Sequence, residues 1–327
     1  MNSNNLHTVA QAFYAEREFD RAIDICLDII AEDPEDHAAK LLMADSYFQQ
    51  DLPENTERLY EEVITRISDD FLINYKYMLV LLKLGKFQKA VRFFKDIGDH
   101  NSYSDEDNAK LYAMNAQAFI QMEQFDQAEK YLRKSIEMTK DNFKYLQGLA
   151  KLLYMKEEFE EAEGLYLRLL EEKSEIEIDF ITLAETLIEL DKTGPAMEYL
   201  KKVKRNVHKE HVFILKAYVS FINDDMSGFR DNMGRLYSDL INITDNLFYY
   251  ENFALTLMRT GRLKKAIKAL EMVMEREQNI EDDFRYKFRI LLFGMYLADG
   301  EKKKAYKLLS EEDPVTAMIS AVNYFNE

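Results

Sequence analysis

The residues of this chain best suited to chemistry are few and scattered. Five histidines are present, and the closest pair is His208 and His211. Three apart on a helix, they would share a face and, with Glu210, offer two imidazoles and a carboxylate to a divalent metal. No second ligand pair accompanies them, so they read as a surface or turn pair and no metal is expected. The stretch Leu84 to Ala90, LGKFQKA, has a glycine and a lysine but neither the glycine spacing nor the Ser or Thr of a phosphate loop. It reads as a turn. The lone cysteine, Cys26, has no histidine or cation on its own helix face to lower its pKa. It is expected to be a small buried apolar group without a disulfide. Carboxylates are abundant, 60 Asp and Glu against 43 Lys and Arg, and no spacing singles out two of them as acid and base. A sequon, Asn242-Ile243-Thr244, has no meaning in a cytoplasmic protein. No catalytic constellation is found, no cofactor is implied, and the chain reads as a non-enzyme.

Charge narrows the partners. The formal net charge is −17, but residues 1–200 hold 41 acids against 22 bases while residues 201–327 hold 19 against 21. A surface that binds nucleic acid needs a basic stripe to neutralise phosphates, and the first two thirds would repel them. The basic clusters are Lys201, Lys202, Lys204 and Arg205; Arg262, Lys264, Lys265 and Lys268; and Lys302, Lys303, Lys304 and Lys307. They are expected on a solvated outer face. The polar start, Met1 to Asn5, and the lack of an apolar run long enough to cross a bilayer point to a cytoplasmic protein without membrane insertion.

What could position any site is a repeat. Small or polar anchors stand at Ala22, Thr56, Ala90, Ala128, Ala162, Ala196, Asn232, Ala266 and Ala305, with steps of 34, 34, 38, 34, 34, 36, 34 and 39 residues. Three residues earlier a bulky group usually stands, as at Phe19, Phe87, Phe125, Phe159, Phe229 and Leu263. Twelve earlier a small one does, as at Ala10, Ala44, Ala116, Ala150, Ala184, Ser220 and Ala254. In the third copy Leu72, Tyr75, Leu79 and Leu82 recur at helical spacing, and Phe87, Ala90, Val91 and Phe94 open a second helix after Gly85. The copy is a helix hairpin, with Gly85, Gly261 and Gly300 suited to a left-handed cap. The Ala anchor lets the two helices cross closely, and Phe87 and its equivalents would fill the wedge between them. Nine hairpins that cannot bury their own apolar faces must stack. The expectation is an all-α, right-handed superhelical α-solenoid of about nine helix-turn-helix repeats over residues 3–312. A capping helix over 313–327 would cover the last hairpin with Val315, Met318, Ile319 and Val322. Polar loops are expected to lengthen the connections at Gly98 to Asp107 and Gln278 to Asp283.

The unit EEFEEAEGLY, with Ala150 before it, Phe159 and Ala162 within it and Tyr166 at its end, resembles the tetratricopeptide repeat. The resemblance covers roughly residues 3–312. The proline that often ends the family's unit survives only at Pro34, and Thr193 replaces the aromatic of the sixth unit. Arrays of this family bind through the surface lined by first helices. Carried over unit by unit, the family's groove positions include Tyr14, Phe48, Tyr75, Lys110, Gln117, Lys144, Lys151 and Tyr154 as the peptide-binding set, with an acidic interruption at Glu185 and Asp224. For Tyr14 and Phe48 ordinary helix packing is the equal alternative. A carboxylate clamp is not expected, because Met114 and Gly148 stand where its arginine would. The resemblance implies a scaffold that holds a protein or peptide segment, apolar with some acidic residues, in its groove. The competing reading is a regulator whose pitch changes when a short peptide or small molecule enters the superhelix. A monomer or weak homodimer is expected.

Overall fold

A computed structural model describes residues 3–66, 69–97, 103–140, 142–172, 179–203, 209–237, 246–276 and 282–308. Among these residues there are eighteen α-helices and no strand. Two compact units divide the chain, Met1–Ile178 and Asp179–Glu327. The first holds α1 (Ser3–Ala15), α2 (Phe19–Glu32), α3 (His37–Gln49), α4 (Pro53–Ile64), α5 (Phe71–Lys83), α6 (Phe87–Ile97), α7 (Asp105–Gln121), α8 (Phe125–Thr139), α9 (Phe143–Met155) and α10 (Phe159–Glu172). The second holds α11 (Phe180–Glu189), α12 (Thr193–Lys202), α13 (Lys209–Ile222), α14 (Met226–Leu236), α15 (Asn246–Arg259), α16 (Leu263–Arg276), α17 (Asp282–Ala298) and α18 (Lys302–Leu308). Each odd helix forms a hairpin with the even helix after it, and the architecture is an α-solenoid. His208, the sequon, Lys204, Arg205, the expected cap at Pro314 to Phe325 and parts of both expected long loops lie outside the described residues.

One turn recurs in every hairpin. Arg17, Asp51, Gly85, Glu123, Glu157, Asp191, Asp224, Gly261 and Gly300 all take a left-handed conformation, with φ between 56° and 81°. The amide after each donates to the carbonyl five residues back, as from Glu18 to Phe13 at 2.9 Å, Lys86 to Leu81 at 2.9 Å and Arg262 to Leu257 at 2.7 Å. The left-handed residue's own amide reaches three back, as from Gly85 to Leu82 at 3.1 Å. These are the two bonds of a Schellman cap, which satisfy carbonyls that the end of the first helix would leave unpaired. The second helix then starts at once, and its anchor falls five residues beyond the left-handed one.

That register corrects the seventh repeat. Five residues past Asp224 stands Phe229, not Asn232, and Phe229 is wholly buried like Ala22, Thr56, Ala90, Ala128, Ala162, Ala196, Ala266 and Ala305. Asn232 is half-buried and donates to the Gly228 carbonyl of its own helix at 2.7 Å. The small residue of this repeat is therefore Ala217 rather than Ser220. Phe229 takes up the crossing by ring contact with Phe253 at 5.0 Å, Phe221 at 5.7 Å and Tyr250 at 5.8 Å. Here the aromatic is the anchor itself, whereas in most other repeats the bulky residue stands three before it. A second correction concerns the wedge: Phe19, Phe87, Phe125, Phe159 and Leu263 are only half-buried, because each opens its helix at the edge of the turn.

Five first helices are started by side chains. Asp36, Asp70, Ser104, Asn142 and Asp179 accept from amides of α3, α5, α7, α9 and α11 at 2.8, 3.1, 3.1, 3.0 and 3.0 Å. Each such cap contributes about 1 kcal/mol. Neighbouring repeats of the first unit are then tied by polar pairs 27 to 32 residues apart. Lys76 meets Asp45 at 2.7 Å, Lys156 meets Glu129 at 2.6 Å, and Glu57, 6% exposed, accepts from Lys86 at 2.6 Å and Lys89 at 2.7 Å. Burial pushes the Glu57 carboxyl up, but the two ammonium groups outweigh it and hold it below its ordinary value. Cys26 is fully buried in the core of the first unit, and its thiol is pushed up to about 12 by burial and then by the nearby Asp36 charge.

Two pairs of substitutions check these points. Gly85→Ala should cost ~1 kcal/mol, because a side chain at this φ meets its own backbone. Gly164→Ala, in mid-helix with open space around it, should gain ~0.5–1 kcal/mol. Urea midpoints moving in the same direction would refute the assigned turn. Glu57→Gln should cost ~1.5–3 kcal/mol at neutral pH. A carboxyl depressed in the folded state contributes stability above its unfolded pKa and loses it as pH falls through the folded value. The wild-type advantage over Glu57→Gln should therefore shrink in urea titrations below about pH 4.5, near the usual carboxylate value.

Candidate functional site

The eight expected groove residues all lie on first helices of the first unit, and none is buried. The structure brings two of them into one cleft. Phe48 on α3 and Gln117 on α7 line a cavity of about 560 Å³, together with Leu79 and Leu82 of α5 between them and Leu52 at the turn. Asp51 and Lys83, joined as an ion pair, form its rim. Leu52 is 42% exposed, so apolar surface is open to solvent at the mouth.

The other six are placed differently. Tyr14 and Tyr154 rest against the first aromatic of their own second helices, Phe19 at 5.6 Å and Phe159 at 5.8 Å, and remain half-buried. Tyr75 packs on Phe71 at 5.6 Å, and the Lys110 ammonium lies 5.6 Å from the same ring. Lys110 is also held by Asp107 at 3.1 Å and Glu106 at 3.3 Å on its own helix. The Asp107 hydrogen bond raises the ammonium above its ordinary value. Its charge is therefore largely answered at home. Lys144 and Lys151 on α9 are exposed and have no ion pair among the described residues.

Ninth positions of successive first helices read Asp45, Leu79, Gln117 and Lys151. The acidic end is closed, because Asp45 accepts from Tyr60 at 2.5 Å and Lys76 at 2.7 Å. What remains open to a partner is an apolar cleft, an amide and then two cations. The residues that frame the cleft, Asp51 and Leu52 in the turn and Lys83 at the end of α5, were missed by sequence reasoning, since carried-over groove positions stop short of them.

The expected acidic interruption in the second unit is corrected. Glu185 on α11 is 8% exposed and receives Arg262, also 8% exposed, at 2.8 Å across 77 residues. Lys265, 7% exposed, pairs with Glu189 beside it. Arg262 further donates to the Thr260 carbonyl at 2.9 Å and lies 3.4 Å from His211 Nδ1. Arg262 and Lys265 are thus not part of a solvated outer face, and Glu185 is not open to a ligand. With the register set by Phe229, the groove positions of the seventh repeat become His211, Ile214, Tyr218 and Phe221. Asp224 is the left-handed turn residue, with φ of 58°. The last three of those groove positions are buried. Among the described residues no group of three or more His, Cys, Asp or Glu could hold a metal, and no helix is long and apolar enough to cross a membrane.

Residues 113–175, which span α7 to α10, match the model of the tetratricopeptide repeat family. Solved structures agree in fold. A tetratricopeptide repeat protein from Parabacteroides merdae superposes with a TM-score of 0.59 at 15% identity, over 78% of this chain and 98% of that one. Residues 113–175 are thus tetratricopeptide repeats, and the chain shares the solenoid fold of such arrays. The C-terminal part of a tetratricopeptide repeat-containing protein from Cytophaga hutchinsonii gives a TM-score of 0.51 at 15% identity, over 84% and 96% of the two chains. PilW, described as a widely conserved type IV pilus biogenesis factor, gives 0.53 at 17% identity, over 64% and 96%. At these identities the likeness is one of fold. No curated protein sequence matches the chain.

Buried charges separated by two repeats have a measurable signature. Arg262→Met alone should cost ~3–5 kcal/mol by stranding Glu185 in the core. The double change Glu185→Leu with Arg262→Met should recover most of that loss in urea unfolding. Additive losses from the two single changes would show that the pair is not the operative contact.

Proposed function

We propose that this tetratricopeptide-repeat chain is a non-enzymatic scaffold that holds a protein segment on the first-helix face of its first unit. Tetratricopeptide repeats generally mediate protein–protein interaction. The observation that supports this site is the cleft of Phe48, Leu79, Leu82 and Gln117, built by three successive first helices, beside the exposed cations Lys144 and Lys151. A bulky apolar side chain entering the cleft would be buried at ~25 cal/mol per Å² of apolar area. Acidic residues further along the segment would meet α9. The answered charge of Lys110 and the closed acid Asp45 take no part.

The test uses the full-length chain with a photo-crosslinking amino acid in place of Gln117, expressed in its source cells. A defined protein should be captured, with the crosslink in a segment that has a large apolar residue followed by acids. Lys144→Glu with Lys151→Glu should reduce capture by at least ~10-fold, about 1.4 kcal/mol, while helicity and unfolding midpoint stay unchanged. Capture that is indifferent to this pair of reversals, or to Leu79→Asp in a folded variant, would remove the cleft as the site.

A further inference from the structure

A different surface of the first unit points to a second copy of this chain. Between the turn of the third repeat and Met122 at the end of the fourth repeat's first helix lies a notch of about 670 Å³. Its floor is the half-buried Phe87 ring and Met122, and its rim is Lys86, Lys89 and Arg92. Lys86 and Lys89 are 47% and 42% exposed and are drawn together by Glu57, whose own side chain is only 8% exposed, and Lys89 also pairs with Glu61, 45% exposed. The carboxylate that gathers them is thus beneath the surface and the ammonium groups are above it. Arg92 is exposed and has no ion pair among the described residues. Three cations stand here against the buried Glu57 and the part-exposed Glu61, so in a chain of net charge −17 the notch keeps a local positive excess, carried by Arg92, over an apolar floor.

The matching plug is the outer face of α2. Asp20, Asp24 and Asp28 follow one another at four-residue steps, which on a helix of 1.5 Å rise places them ~6 Å apart along one side. Leu27 stands among them, 48% exposed. Asp24 and Asp28 are exposed and have no ion pair among the described residues. A leucine presented to water inside an acidic stripe complements an apolar floor inside a basic rim.

We propose that two copies associate head to tail, with Leu27 of one copy seated in the notch of the other and Asp24 and Asp28 meeting Lys86, Lys89 and Arg92. The two surfaces differ, so the contact is heterologous and each copy has a free plug and a free socket. One helix face on one notch falls at or below the small end of protein interfaces, under ~1,200 Å², and its strength is electrostatic in large part. The contact is separate from the cleft of Phe48 and Gln117.

Sedimentation velocity on the full chain tests this, at ~10 and ~200 µM protein, in ~0.02 M and ~0.5 M salt, where the screening length falls from roughly 20 Å to under 5 Å. Wild type should form dimers and larger species at the higher concentration in low salt and return to monomer in high salt. Asp24→Lys with Asp28→Lys should abolish association, as should Gln88→Glu with Arg92→Glu, each with an unchanged unfolding midpoint. An equimolar mixture of the two variants should associate again, since the unaltered plug of the socket variant fits the unaltered socket of the plug variant. Lys144→Glu with Lys151→Glu should leave association intact, which separates this contact from the groove. The idea is overturned if wild type stays monomeric throughout, if association persists in both variants, or if the mixture fails to associate.

Discussion

A left-handed residue closes the first helix of every hairpin, and the register of all that follows is measured from it. Two hydrogen bonds hold that residue, one from its own amide and one from the next. At Arg17, Asp51, Glu123, Glu157, Asp191 and Asp224 the conformation is unfavourable for a side chain by about 1 kcal/mol or more. The two bonds, and the anchor that the turn delivers into the crossing five residues later, offset this cost. Because the turn is invariant while its residues are not, the chain tolerates an anchor as large as Phe229. The groove rows shift with it, as the seventh repeat shows.

Charge is used in two ways in the two units. In the first, Asp45, Glu57 and Glu129 each reach a lysine one repeat onward, so the pairs set the rotation between neighbours one step at a time. Most of these lysines keep partial contact with water, which limits the cost of desolvation. In the second, Glu185 and Arg262 meet across two repeats with both groups nearly excluded from solvent. A contact of that reach fixes the stacking of the sixth to eighth repeats together. It also occupies the first-helix face there with the protein's own side chains.

The first-helix faces of the two units differ in what they leave open. The first unit leaves apolar and cationic surface open at Phe48, Leu79, Gln117, Lys144 and Lys151. In the second unit the equivalent face of the sixth and seventh repeats is taken by the buried ion pairs and by Tyr218 and Phe221. A segment held on the first unit, as proposed, would meet Lys144 and Lys151 without breaking an ion pair, whereas one on that part of the second would have to break buried pairs.

The repeat, its hairpin form and eight of its nine anchors were legible in the sequence, because packing between crossing helices demands small residues and that demand is local and periodic. The inertness of Cys26 was legible too, since nothing on its helix could activate it. The left-handed turn was not legible: only Gly85, Gly261 and Gly300 declare it, and at the other six repeats it is enforced by hydrogen bonds that any residue's backbone can make. Nor could spacing tell that Glu185 is answered by Arg262, that Lys110 is answered by Asp107, or that Phe48 and Gln117 share a cleft. Those facts depend on which side chains from different repeats arrive at the same place, and burial and pairing between distant residues exist only once the repeats are stacked.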